Sequence, residues 1–77
     1  MYSKFRMSKK TPVNTVEGKV LVSTISLDRG QFETMVFPIG NNDLPDFDEI
    51  EIYRTYRPKI ARKIHKEMCK KYYFSLN

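Results

Sequence analysis

Residues 19–27 and 31–39 are rich in residues that favour β-strands, such as Val, Ile, Thr and Phe, and residues 48–56 alternate between apolar and polar positions with a period of two, which is typical of a half-buried strand. Residues 19–27 and 31–39 predict two strands joined by a tight turn at Asp28-Arg29-Gly30, where Gly30 is free to take a positive φ. After a loop rich in Gly, Asn, Asp and Pro, residues 48–56 predict a third strand. The pattern therefore predicts a three-stranded antiparallel β-meander over about residues 16–56.

From Pro58 onward the period changes to about 3.6 residues, which predicts one amphipathic helix over about residues 57–73. Pro58 suits the first helical turn, and Thr55 stands just before it as a candidate cap. One arc of the helix is apolar and is expected to pack on one face of the sheet. Its members are Ile60, Ala61, Ile64, His65, Met68 and Tyr72. The other arc is basic and consists of Lys59, Arg62, Lys63, Lys66, Lys70 and Tyr73. The predicted fold class is α+β, with the order β-β-β-α.

Charge is sorted along the chain, with basic ends and an acidic middle. The net charge of +5 combines +4 in residues 1–12, −5 in residues 13–56 and +6 in residues 57–77. Residues 1–14 show neither a helical nor a strand period, so we expect them to form a flexible basic arm ahead of a single small domain over residues 15–77. The basic helix arc and this arm predict contact with an anionic partner.

The length of 77 residues leaves room for one small core, which favours support from self-association. One helix covers only one face of a sheet, and we expect Val20, Val22, Phe32 or Met35 on the uncovered face. A homodimer that buries this face is the predicted assembly. The single Cys69 excludes an internal disulfide, and we find no secretory signal and no apolar run long enough for a membrane span. These features predict a protein of a reducing cytoplasm.

Two groups of side chains are candidates for a catalytic, metal-binding or ligand-binding site. His65 and Cys69 stand four residues apart, and His65 could meet Glu33 or Asp28 if the helix packs over the hairpin, as a general base would require. No phosphate-binding loop or second motif accompanies them, and two ligands do not make a metal site. We therefore predict a non-enzymatic protein without metal or cofactor.

Polar residues inside the strands form the second group. With a neighbouring arginine and histidine they could line a small polar pocket for a nucleotide-like ligand. The alternative, which we favour, is ordinary solvent-facing strand positions with cross-strand threonine pairs. The candidate pocket residues are Ser23, Thr24, Glu33, Thr34, Arg54 and His65.

Three segments of the chain stand in a recognisable order. They read Val-Ser-Thr-Ile-Ser-Leu-Asp at residues 22–28, Phe-Glu-Thr-Met-Val-Phe at residues 32–37, and Tyr-Arg-Thr at residues 53–55 ahead of a helix with His65, Glu67 and Met68. In this order they resemble a family of small tailed-bacteriophage proteins with VST…LD and ETMVF strands and a Y-x-T helix start. This chain has a shorter turn after Asp28 than the family's Gly-rich loop, and Lys66 separates His65 from Glu67 where Gly-His-Glu is usual. The resemblance implies a viral origin and a β-β-β-α layout, and no activity.

The functional prediction joins the resemblance to the charge pattern. Phages carry many small proteins that bind a host factor or blunt a host defence, which is an argument by analogy. On this basis we expect a non-enzymatic accessory protein, of host-takeover or anti-defence type, that acts in the host cytoplasm on a host protein or a signalling nucleotide. The basic helix arc is the predicted contact surface. The alternative is a nucleic-acid-binding protein that contacts phosphates through the helix and the N-terminal arm, although no helix-turn-helix, zinc finger or RNP strand is present.

Overall fold

The computed structural model describes residues 7–40, 44–45 and 49–73, which form one antiparallel sheet and one helix. The strands lie side by side in chain order, and the helix that follows them packs on one face of the sheet. Their bounds are β1 (Ser8–Asn14), β2 (Lys19–Ser26), β3 (Phe32–Ile39), β4 (Glu51–Thr55) and α1 (Pro58–Tyr72). The predicted α+β class, with an antiparallel sheet and one C-terminal helix, is confirmed.

The predicted number of strands was wrong, because Ser8–Asn14 forms a fourth strand, β1. We had assigned these residues to the flexible arm, yet they pair antiparallel with β2, with Thr11 opposite Val22 and Val13 opposite Val20. Val13 is the one apolar side chain that β1 turns toward the helix, and Lys9 and Thr11 share its face. The sequence of β1 therefore shows no alternation of hydrophobic and polar residues that would have predicted a strand. The rest of the predicted arm, residues 1–6, lies outside the described residues.

β1 is an edge strand, and its register explains how it tolerates a proline. The Ser26 N–H donates to the Met7 carbonyl at 2.8 Å, and the Thr15 N–H donates to the Gly18 carbonyl at 2.7 Å. Backbone groups of successive residues point to opposite edges of a strand, so residues 7, 9, 11, 13 and 15 face β2. Pro12 lies between them and faces outward, where its missing N–H removes no hydrogen bond to β2.

The turn between β2 and β3 has the predicted location and conformation. Asp28–Gly30 forms a short 3-10 turn in which Gly30 has φ 74° and Arg29 has φ 63°. The Leu27 N–H donates to the Gln31 carbonyl at 2.6 Å and closes the turn. Glycine adopts such a positive φ without steric conflict, which places it well at this position.

The helix begins at Pro58, as predicted, but Thr55 is not its cap. Arg57 occupies the N-cap position without a side-chain capping bond, and the Thr55 hydroxyl accepts a hydrogen bond from the Arg57 N–H at 3.3 Å. Thr55 thus stabilises the approach to the helix. Pro58 in the first turn loses no intrahelical hydrogen bond.

The core lies between the sheet and α1. Val13, Val20, Val22 and Val36 form its buried centre, and three helix side chains pack against it: Met68, Cys69 and Tyr72. Val20, Val22 and Phe32 are all buried on this side, so our expectation that the uncovered face holds them was wrong; of that group only Met35 points away from α1. The alternation of side chains along a strand shows which residues share a face of the sheet. Which of the two faces becomes the core depends on where the helix packs.

Candidate functional site

A row of cations runs along the solvent side of α1, and we call it the basic face. Every one of its side chains is exposed, and Tyr73, at 64% exposure, follows the last helical residue. The first and last cations are separated by about 17 Å at the α-helical rise per residue. The basic face consists of Lys59, Arg62, Lys63, Lys66, Lys70 and Tyr73.

The four lysines of the basic face form no ion pair within the part of the chain that the structure describes. Within residues 7–40, 44–45 and 49–73, the ion pairs are Arg54 with Glu33 and Lys71 with Glu51. The helix contains a single acid, Glu67. Closely spaced charges of one sign raise the local potential and attract counter-ions or an anionic partner.

Beneath α1, a chain of hydrogen-bonded polar side chains, three of them buried and one half-buried, fastens the helix to the sheet. The His65 imidazole is only 3% exposed, with Nε2 2.9 Å from the Thr11 hydroxyl and Nδ1 2.7 Å from the Thr24 hydroxyl. Thr24 also lies 2.7 Å from the hydroxyl of Thr34, its cross-strand neighbour. One histidine thereby joins α1 to β1, β2 and β3. We call these four residues the His65 network.

The environment of His65 favours the neutral imidazole. Burial lowers the pKa of His65 below its usual value of 6.5, and the nearby ammonium of Lys9 lowers it further. A neutral imidazole donates from one nitrogen and accepts at the other, and hydroxyl groups satisfy both roles. His65 consequently has no nitrogen left to take a proton from a bound substrate, and its partners are threonines and not the Glu33 or Asp28 that a general base would use.

The six predicted pocket residues do not come together. Thr24, Thr34 and His65 lie under the helix, whereas Ser23, Glu33 and Arg54 lie on the opposite sheet face. There the buried Glu33 accepts a hydrogen bond from Arg54 Nε at 2.8 Å. Neighbouring residues of a strand point to opposite faces, which separates the two groups.

The cross-strand threonine pair of the favoured alternative is present as Thr24 and Thr34. Both side chains are buried and not solvent-facing, however, and so are Ser23 and Glu33. Thr24, Thr34 and His65 satisfy one another, and Glu33 is satisfied by Arg54, so no ligand is needed to explain these polar residues.

A second cluster, which our sequence analysis did not identify, joins β4 to the end of α1. The Glu51 carboxylate accepts hydrogen bonds from Lys71 Nζ at 2.8 Å and from the hydroxyls of Tyr53 and Tyr72. The Lys71 contact, followed by the two tyrosines, lowers the pKa of Glu51 from 4.5 to about 2. Burial, then the bond to Glu51, raises the pKa of Tyr72 to about 12. Glu51 and Tyr53 are two residues apart and therefore lie on one face of β4, and this spacing is the sequence feature that could have indicated the cluster.

Two grooves border the helix, and a third lies on the far face of the sheet. A groove of about 520 Å³ lies between the β1–β2 connection and the C-terminal end of α1, and one of about 490 Å³ lies between β1 and α1. The third, of about 470 Å³, is lined by residues such as Leu21, Met35 and Phe37. None of these three grooves is lined by His65, Thr24 or Thr34, which agrees with a structural role for the His65 network.

Comparisons of this chain with protein-family models, curated proteins and solved structures found no match. No helix in the described part of the chain has the length and apolar character needed to cross a membrane. Among the same residues, no three or more His, Cys, Asp or Glu side chains are grouped so that they could hold a metal ion. The resemblance to tailed-phage proteins accordingly stays a prediction.

Proposed function

We propose that this protein is a non-enzymatic accessory protein of a tailed phage, which binds a macromolecule of the host cell through the basic face of α1. The observation that carries the proposal is the row of five exposed cations, of which Lys59, Lys63, Lys66 and Lys70 have no acidic partner among the described residues. Phage origin rests on the three sequence motifs, and host binding rests on analogy with other small phage proteins.

The attachment of α1 supports this proposal. Ala61 and His65 are buried against the sheet, the His65 network fixes the middle of the helix, and Glu51 fixes its end through Lys71 and Tyr72. A helix held at several points loses little further freedom when a partner binds. The basic face is therefore presented as a rigid surface.

The polar pocket that a signalling nucleotide would need has less support. Its six candidate residues are divided between two faces of the sheet, and half of them are engaged beneath α1. A macromolecular partner, which needs an extended surface and no enclosed pocket, fits the arrangement better.

Nucleic acid is the second candidate partner, and the composition of the basic face favours it. Four of the five cations are lysines, a residue type that is depleted at protein–protein interfaces but common in contacts to phosphate. Tyr73 stands exposed at the end of the row, where an unpaired base could stack on its ring.

A pulldown from host-cell lysate, with and without nuclease treatment, tests the proposal. The wild-type protein is compared with the double variant Lys63→Glu/Lys66→Glu, whose exposed positions make little contribution to folding. A host protein that survives nuclease and is lost with the variant supports the leading function. Material that disappears with nuclease supports the second candidate, and equal capture by both proteins would show that the basic face is not the contact surface.

The salt dependence of oligonucleotide binding tests the second candidate directly. If all five cations contact phosphates of a single strand, the logarithm of the binding constant falls with the logarithm of salt concentration with a slope of about −3.5. The Lys63→Glu/Lys66→Glu variant should make this slope shallower by about 1.4. Binding that is unaffected by salt would exclude a phosphate contact through these residues.

A further inference from the structure

The outer edge of β1 carries backbone groups that none of the four described strands uses. Because residues 9, 11 and 13 face β2, the N–H groups of Ser8, Lys10 and Asn14 point away from the sheet, as do their carbonyls and that of Pro12. All four residues are exposed. An exposed strand edge is a template on which another extended chain can add.

An apolar groove of about 490 Å³ lies next to this edge. Residues 11–14 form one wall, and Cys69, Lys70 and Tyr73 form the other. Among the described residues, no carboxylate lines the groove, and Lys70 is part of its wall. Burial raises the pKa of the Cys69 thiol, and the nearby Lys9 ammonium opposes part of this rise, which places a second cation near the groove. A strand edge beside a helix, with a groove between them, is the arrangement by which some domains capture extended peptides.

We propose that the outer edge of β1 binds an extended acidic segment of another protein as a fifth strand, with an apolar side chain of that segment in the groove between β1 and α1. Backbone hydrogen bonds to Ser8, Lys10, Pro12 and Asn14 would supply the pairing. The groove selects an apolar residue, and Lys9, Lys10 and Lys70 select acidic neighbours.

The positive charge of β1 disfavours a second copy of this chain as the strand added at its outer edge. Pairing of β1 with β1 of another molecule would place four lysines along one shared edge, two from each copy, with no acid on either strand. Like charges facing each other across strands are destabilising, whereas a segment rich in glutamate or aspartate neutralises them.

This surface is distinct from the centre of the basic face. The groove shares Lys70 and Tyr73 with the basic face but lies apart from Lys63 and Lys66, which do not line it. The peptide proposal therefore does not depend on the proposed function, and the Lys63→Glu/Lys66→Glu variant should bind peptide within about twofold of wild type.

The test uses fluorescein-labelled nine-residue peptides with alternating threonines, two glutamates at each end, and leucine, valine or phenylalanine at the centre. We expect at least one to bind with a dissociation constant below about 1 mM, as for weak strand addition. On binding, the amides of Ser8, Lys10 and Asn14 should become protected from hydrogen exchange, and thiol labelling of Cys69 should slow. The same peptide with N-methyl groups on alternate residues, which cannot pair, should not bind.

A proline substitution at the edge gives the matched variant. Asn14→Pro removes one outward N–H and leaves the hydrogen bonds to β2 in place, so affinity should fall about threefold to tenfold, while Asn14→Ala keeps the N–H and should bind like wild type. The proposal is overturned if no peptide binds up to about 1 mM. Equal binding of the N-methylated peptide, or binding without protection of the three amides, would overturn it as well.

Discussion

Nδ1 of His65 and the hydroxyl oxygen of Thr24 lie 2.7 Å apart in the buried interface between α1 and β2. Thr24 is fully buried and is also hydrogen-bonded to Thr34, so the contact reaches from the helix to the two central strands. The helix that presents the basic face is thus positioned by a polar network as well as by apolar packing. Such a network specifies one orientation of the helix, because each buried polar group needs its partner.

Thr24→Val should destabilise the fold. Valine has nearly the shape of threonine but no hydroxyl, so His65 and Thr34 each lose a buried partner. We expect the free energy of unfolding, measured by urea denaturation at pH 7.5, to fall by about 1–3 kcal/mol. Replacing Thr34 as well, in Thr24→Val/Thr34→Val, should recover part of this loss, because Nδ1 of His65 is then the one group of the His65 network that lacks its partner. A change below about 0.5 kcal/mol for Thr24→Val would mean that the network does not hold the helix.

The stability of the protein should fall as the pH drops below 6.5. The folded pKa of His65 is lower than that of the unfolded chain, so between the two values the unfolded state binds the additional proton. The slope due to one proton is at most about 1.4 kcal/mol per pH unit. In His65→Gln, which cannot titrate, the loss of stability between pH 7.5 and 5.5 should shrink. An unchanged pH dependence in this variant would show that His65 is not the responsible group.

Glu51 should add a second, more acidic loss of stability. Its pKa is about 2 in the folded protein and 4.5 as its ordinary value, so its contribution is complete above the ordinary value and is lost as the pH falls toward 2. Carbon NMR of the carboxyl group should report the low pKa directly. Lys71→Met should raise that pKa, since Lys71 is its largest cause; a pKa that stays low would assign the effect to the tyrosines.

Tyr72 offers an optical test of the same cluster. Its pKa of about 12 arises from burial and from the hydrogen bond to Glu51. In Glu51→Gln the charge is removed, so Tyr72 should ionise at lower pH while burial still holds its pKa above 10. Tyrosinate absorbance during alkaline titration measures this change. An identical titration curve for the variant would contradict the contact between Tyr72 and Glu51.

The sequence predicted the elements whose pattern is apolar and regular. Phe32, Thr34 and Val36 share one face of β3, Gly30 takes the positive φ of the turn, and Pro58 begins the helix, as expected. These features depend on local preferences and on periodicity, which a single sequence displays directly.

The missed features depend on contacts between distant residues. β1 turns Lys9 and Thr11 toward the helix, so its inward face is mostly polar and shows no strand signal. Thr24 and Thr34 lie on the same face of the sheet as the core residues Val22 and Val36, because they are two residues away from them along β2 and β3. Once the face covered by the helix is known, this spacing places both threonines in the core. The His65 network could be recognised only after α1, β1 and the central strands were brought together.

The most direct test of the central claim is to make the same charge change at two different places on the protein. Lys63→Glu/Lys66→Glu reverses charge on the basic face, and Lys19→Glu/Arg29→Glu reverses it at two exposed positions outside α1, one in β2 and one in the turn after β2. Each double variant removes four units from the net charge of +5. All three proteins are immobilised, and the macromolecule retained from host lysate is quantified on each.

If the basic face is the binding surface, the first variant should retain about tenfold less of that macromolecule, while the second should stay close to wild type. Equal losses in both variants would contradict the claim, because net charge alone, and not the basic face of α1, would then account for binding.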